Sequence, residues 1–212
     1  MKSFSQLSHW FVVSMLPLLV FTGGCKPDRA PRPTQLSQTA ASAVVTASAQ
    51  PAVSDSNATP VVRTAVRIKA GSSTPLTDSK GRVWLADTGF NGGDIVERAD
   101  LVITNTEEPE IYRSEHYSMD SFTWPLANEK YLVKMYFCET FEGISGRGQR
   151  VFSFSVQGQG FKDFDVWEKA GGPNRAYIET VPVAITNGVL QINFTGNIEN
   201  PQINAIEILP QP

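Results

Sequence analysis

Two cysteines and two histidines in 212 residues leave little material for metal or thiol chemistry. His9 and Cys25 stand near the start, so the rest of the chain carries only His116 and Cys138. One thiol cannot close an intramolecular disulfide. Cys138 sits in an apolar stretch with no histidine near it in sequence, and reads as a buried, inert side chain. Basic residues form no cluster and the formal charge is −3, which argues against nucleic acid as a partner. No apolar run reaches the roughly 20 residues that span a bilayer. No window beyond about ten residues keeps a helical period between caps.

What is present begins with "MKSFSQLSHWFVVSMLPLLVFTGGC". Lys2 precedes an apolar run from Trp10 to Phe21, and Gly23 and Gly24 lead into Cys25. That is the pattern of an export signal. The stretch "FTGGC" resembles a bacterial lipobox, with Thr22 where leucine is commonest. The resemblance implies removal of residues 1–24 and acylation (palmitate among the chains) of Cys25, which would anchor the protein by burying many CH2 groups. Lys26 follows, not aspartate, which favours the outer over the inner membrane of a Gram-negative envelope. The alternative is an ordinary secretory signal followed by an incidental free cysteine. Beyond Cys25, the segment to residue 63 is Ala, Ser, Thr, Pro, Gln and Val without aromatics. Such a composition buries too little apolar surface to offset chain entropy. Residues 25–63 therefore read as a lipidated cysteine and a linker spanning roughly 30–40 Å.

Residues 64–212 alternate with period two. In "YLVKMYFCE", Val133, Met135 and Phe137 fall on one face and Lys134 on the other. "RVFSFSVQG" sets Phe152, Phe154 and Val156 against serines, "VLQINF" sets Leu190, Ile192 and Phe194 against Gln191 and Asn193, and "NAIEIL" places Ile206 and Ile208 around Glu207. A further strand, "AYIETVPVAI", is separated from "VLQINF" by Thr186, Asn187 and Gly188, and Asn-Gly predicts a hairpin. Many short alternating strands with Gly and Asn punctuation predict an all-β fold, an antiparallel β-sandwich or jelly roll. Its long loops, such as "WLADTGFNGGDIVERADL", "ETFEGISGRGQR", "FKDFDVWEKAGGPNR" and "TGNIENPQ", are where function is expected. Asn197, Glu199 and Asn200 supply short polar groups suited to hydroxyls.

The blocks "RIKAG", "VWLADTGFNGG", "IYRSEHY", "YLVKMYFCETFEG", "GQRVFSFSVQG", "FKDFDVWEKAGG" and "TGNIENPQINAIEIL" occur in this order across 66–209. Together they resemble the malectin domain, a galactose-binding-domain-like β-sandwich. The resemblance implies a non-catalytic, lectin-like domain that binds carbohydrate, a glucan or related glycan. It also implies site residues. Tyr117 takes the family's tyrosine in the "ERY"-like block. Phe141 keeps the first ring of an aromatic pair whose second member is here Glu142. Glu199 takes the place of the acidic residue before "NP". A family tyrosine in the first long loop falls near Ile95 and Val96, where this chain has no ring; Phe90 or Trp84 could replace it. Tyr112 is a further candidate, with packing as its other reading. Lys69 and Ser72 stand where the family has Asn and Gly, at a turn.

The chemistry fits those residues. The C–H face of a pyranose is apolar and slightly electropositive, which suits the negative face of an aromatic ring. A carboxylate then orients the sugar by accepting from paired hydroxyls. Phe122 and Trp124 alternate on one strand face and read as core. Three other classes stay open. The stretch "IYRSEHYSMDSFTWPL" holds Ser114 and Ser118 two residues either side of His116, but no nucleophile-elbow motif accompanies them, and His116 reads as a rim residue. Glu139 with Glu142, or Asp163 with Asp165, could form a glycosidase pair, which needs carboxyls about 5–9.5 Å apart. The sandwich could instead dock a protein partner, its sugar site vestigial. Loop carboxylates and carbonyls also leave room for a structural calcium.

Overall fold

The structure, a computed structural model, describes residues 64–212; the export signal, Cys25 and the linker lie outside the described residues. The strands are β1 (Val66–Lys69), β2 (Leu76–Thr77), β3 (Val83–Trp84), β4 (Phe90–Asn91), β5 (Asp94–Glu97), β6 (Ser114–Tyr117) and β7 (Ser121–Pro125). They continue as β8 (Lys130–Phe137), β9 (Val151–Val156), β10 (Gln159–Phe164), β11 (Tyr177–Ala184), β12 (Val189–Ile198), β13 (Gln202–Ile203) and β14 (Ala205–Pro210). Among the described residues, helical structure is confined to a 3-10 turn at Pro109–Tyr112 and a short helix, α1 (Val166–Ala170).

Two antiparallel sheets carry the fold, in the orders β1-β14-β8-β11 and β10-β9-β12-β7-β4. The alternation expected from sequence is what joins them. Val133, Met135, Phe137, Ile206 and Ile208 face inward from the first sheet; Phe152, Phe154, Val156, Leu190, Ile192 and Phe194 meet them from the second. Each such side chain is worth about 1.5–3 kcal/mol on burial. Phe122 lies in this core as expected, and Trp124 packs partly buried against it. Cys138 is fully buried, and that burial pushes its thiol up to about 12.

Two expectations are corrected. The strands either side of Asn187 and Gly188 do not pair with each other: β11 pairs with β8, and β12 with β7 and β9. The turn instead carries the chain from one sheet to the other, and Asn128 and Leu126 take up its Gly188 N–H and C=O. Glu207 is the second case, because it is 1% exposed despite its outward parity. The outer face of that sheet is roofed by a second apolar cluster, which includes Trp84, Tyr112 and Tyr136. Under it Glu207 accepts from Arg67 Nε (2.6 Å) and Tyr136 Oη (2.9 Å), and Lys134 and Arg82 approach within 3.7 and 3.8 Å. A carboxylate so enclosed persists only with such partners.

A smaller sheet, β13-β6-β5, closes one end of the sandwich. Its register puts Val96 opposite Glu115 and both Asp94 and Gln202 opposite Tyr117. The closing block of the sequence fixes it there. Gln202 Nε2 donates to the Cys138 carbonyl (3.2 Å), and Asn204 Nδ2 donates to the carbonyls of Tyr112 (3.1 Å) and Ser114 (2.8 Å).

Candidate functional site

Period-two alternation on β6 gives its residues opposite fates. Ser114 and His116 turn into the protein, Ser114 Oγ donating to the Ala70 carbonyl at 2.7 Å. His116 is buried, not on the rim as its sequence context predicts. Its Nδ1 is 2.9 Å from Asp87 Oδ2, its Nε2 is 2.9 Å from the Gly92 carbonyl, and its ring stacks on Phe90 at 4.3 Å. Two acceptors facing two ring nitrogens fit the doubly protonated ring. Burial works against that charge, but the bonds to Asp87 and Gly92 and the charges of Asp87 and Asp94 outweigh it and hold the pKa above the ordinary histidine value. With both nitrogens occupied, His116 has none left to act as a base toward a serine.

Glu115 and Tyr117 take the other side and line a hollow of about 310 Å3. Val96 and Arg98 reach it from β5 and the residue after it, Phe141 from the loop after β8, Arg150 from the residue before β9, and Glu199 and Asn200 from the loop after β12. Three of the five residues expected from sequence, Tyr117, Phe141 and Glu199, therefore share one cavity. Phe141 is 43% exposed and Tyr117 half-buried. Glu199 stands on a left-handed backbone (φ 63°), and its Oε2 accepts the Asn200 N–H at 3.0 Å.

Phe90 and Tyr112 do not join it. Phe90 packs between His116 and Phe122. Tyr112 is 1% exposed, its ring 5.9 Å from that of Tyr136, and burial raises its phenol pKa well above the usual value. Trp84 is equally unavailable: it is fully buried, with Nε1 donating to Asp78 Oδ2 at 2.9 Å. Of the two residues near which the family's loop tyrosine falls, Val96 lines the hollow and Ile95 points away. Glu142 lies in a second depression with Glu139, Leu101 and Pro173, and Phe141 borders both.

The polar floor was not anticipated. Glu115 Oε1 is 3.2 Å from Arg98 Nη1, and its Oε2 accepts from Thr140 Oγ1 at 2.7 Å. Arg98 also donates to Thr140 Oγ1 at 3.2 Å. Beside this triad, Arg150 Nε stands 3.3 Å from Glu139 Oε2. Strand parity could have found these residues: Glu115 is two before Tyr117, and Arg150 is two before the inward Phe152. Of the candidate acid pairs, Glu139 and Glu142 do line one depression, where Glu139 is buried and its Oε1 accepts the Phe141 N–H; the other pair is engaged elsewhere. Asp165 caps α1 by accepting the Glu168 N–H (3.2 Å) and also accepts the Gly148 N–H (2.6 Å), while Asp163 accepts from Asn197 Nδ2 (2.7 Å). Among the described residues no three His, Cys, Asp or Glu side chains cluster so as to hold a metal ion.

Residues 64–206 match the malectin domain. The chain belongs to the malectin domain family. Malectin-B from Xenopus laevis is 29% identical over 127 residues, which are 51% of this chain and 45% of that protein. A probable receptor-like protein kinase from Arabidopsis thaliana is 31% identical over 131 residues, 52% of this chain but 16% of the kinase. The chain thus spans less than half the length of these relatives. Among solved structures, a β-glucuronidase from Bacteroides uniformis superposes with a TM-score of 0.64 at 16% identity, covering 70% of this chain and 18% of that one. The ANX1 ectodomain from Arabidopsis thaliana gives 0.61 at 15%, covering 69% and 48%. At such identities the likeness is one of fold. The malectin domain is a carbohydrate-binding fold, and this chain carries a lectin-like binding domain.

Proposed function

We propose that the protein is a non-catalytic carbohydrate-binding module, tethered to a bacterial envelope through acylated Cys25, that recognises a glucan or related glycan in the hollow lined by Tyr117, Phe141 and Glu199. The observation that carries the reading is the convergence of two accessible rings and a rim carboxylate on one cavity. The rings suit the C–H faces of a pyranose, and Glu199 and Asn200 suit its hydroxyls. A non-catalytic role is favoured because Asp163 and Asp165 are engaged in structural bonds and Glu139, the buried member of the other candidate pair, is held by the Phe141 N–H and Arg150. A single shallow site of this kind binds weakly, with Kd on the order of 10–1000 μM, since ordering and desolvation offset most of the contact energy.

The test is a glycan array probed with the purified protein, covering glucans, peptidoglycan fragments and host glycans. Binding to at least one class, abolished in Phe141→Ala, is the expected result. Silence across the array would favour a protein-docking module instead, a reading motivated by the family rings missing at Ile95 and Glu142. Release of free sugar from a bound glycan would move the protein to the hydrolases. Acylation is tested separately: labelled palmitate should enter the wild-type chain in a Gram-negative host and not the Cys25→Ala variant.

A further inference from the structure

Beneath Phe141 lies a buried ion pair that sugar contact alone does not require. Glu139 is 1% and Arg150 5% exposed. Their 3.3 Å approach is close enough for attraction but misaligned for a hydrogen bond, and among the described residues Glu139 Oε2 and Arg150 Nε and Nη1 have no hydrogen-bond partner. A buried pair so incompletely satisfied is costly beside an apolar substitute. What it touches is the exposed ring. Glu139 Oε1 accepts the Phe141 N–H at 3.1 Å, and the Arg150 guanidinium carbon lies 5.8 Å from the Phe141 ring centroid. Gly143 completes the seat: a β-carbon added there would stand 2.5 Å from the ring.

We propose that Glu139 and Arg150 are positioning residues for Phe141, holding its ring in the wall of the hollow while Glu139 is ionised and releasing it when Glu139 takes up a proton. The proposal rests on the reading of the hollow as a sugar site. Ionised Glu139 holds the Phe141 amide through a charge-assisted hydrogen bond and balances Arg150, which in turn lies over the ring. Protonation removes that balance. The charged groups facing Glu139 are then Arg150, Arg98 and Glu115, and Glu115 is already engaged by Arg98 and Thr140. Burial pushes Glu139 up to about 7 against the opposing pull of Arg150 and the Phe141 amide, so the change falls near neutrality. His116 also titrates above its ordinary value, but it faces Asp87, Asp94 and the Gly92 carbonyl from the opposite side of β6. Substitution at 139 separates the two.

The experiment follows the backbone amide and ring resonances of Phe141 by NMR in the full chain, between about pH 5.5 and 8.5. It is paired with calorimetry of maltose binding over the same range. Both the amide and the ring should move in one single-proton step in the wild type. In Glu139→Gln, which keeps an acceptor for the amide but cannot ionise, both should be flat. Maltose affinity should rise about three- to ten-fold from the acid to the alkaline limit, the worth of one aromatic contact, and lose that dependence in Glu139→Gln. Arg150→Lys, which keeps the charge but not the planar fork, should weaken the ring's step while leaving the amide's intact. A ring that ignores pH while the amide titrates overturns the proposal, as does an identical ring titration in Glu139→Gln. If maltose fails to bind at every pH, the sugar-site reading fails for that disaccharide, and the ring resonances still decide the positioning.

Discussion

At the scale of single residues, the hollow separates side chains that can be removed cheaply from those that cannot. Tyr117 is half-buried and Glu199 exposed, and neither belongs to an apolar core cluster. Tyr117→Ala and Glu199→Ala should each weaken glycan binding at least several-fold while shifting the thermal midpoint by no more than a few degrees. Calorimetry alongside differential scanning checks both halves; an equal loss of stability would assign the residues to the framework. Acid–base behaviour is also set residue by residue. His116 has a raised folded pKa, so its contribution is complete below the unfolded value near 6.5 and is lost as pH climbs through the folded one. Glu139 is raised from 4.5 to about 7, so the folded state holds its proton longer than the unfolded chain does, and stability again declines as pH rises through that window. Urea midpoints should therefore fall between about pH 5 and 8, and Glu139→Gln should flatten part of that fall.

At the scale of elements, the register of β5 on β6 decides which side chains reach the cavity. Gly93 permits that pairing: its φ is +84°, and a β-carbon there would sit 2.3 Å from the Tyr117 carbonyl oxygen. Gly93→Ala should cost about 2 kcal/mol or more and should lower affinity as well, because Val96 and Arg98 would shift together. Circular dichroism melts and glycan titration of the same variant would test the coupling; unchanged affinity in a destabilised protein would sever it. Strand alternation was legible because one apolar face per strand suffices to write it. The partner of each strand was not legible, since Asn187 and Gly188 signal a tight turn without saying whether it stays within a sheet. The same holds for Glu207, whose outward parity is visible in "NAIEIL" while its roof is built by Trp84, Tyr112 and their neighbours, far off in sequence.

At the scale of the whole molecule, the family match covers residues 64–206. The ring and carboxylate positions followed from motif blocks, so Tyr117, Phe141 and Glu199 could be named in advance. Arg98, Glu115 and Arg150 were not named: strand parity hinted at the faces of Glu115 and Arg150, but only the fold turns all three toward a common space. A weak site gains from numbers. On the proposed acylation of Cys25, and with the anchor facing outward, cells carrying many copies should adhere to an immobilised glycan far more tightly than the Cys25→Ala protein binds it in solution, by a factor of about 100 or more. Flow adhesion assays against solution titrations measure that ratio, and parity between them would remove the anchor from the functional picture.

The walls of the cavity are drawn from residues 96, 98, 115, 117, 141, 150, 199 and 200. No contiguous fragment shorter than roughly two-thirds of the folded region contains them all. A nascent chain therefore cannot grip a glycan until its last strands have docked, and an occupant, once seated, rivets early, middle and late segments together. Resistance to proteolysis should for that reason be a sensitive gauge of occupancy, since a guest at about 100 times its Kd adds about 2.7 kcal/mol against opening.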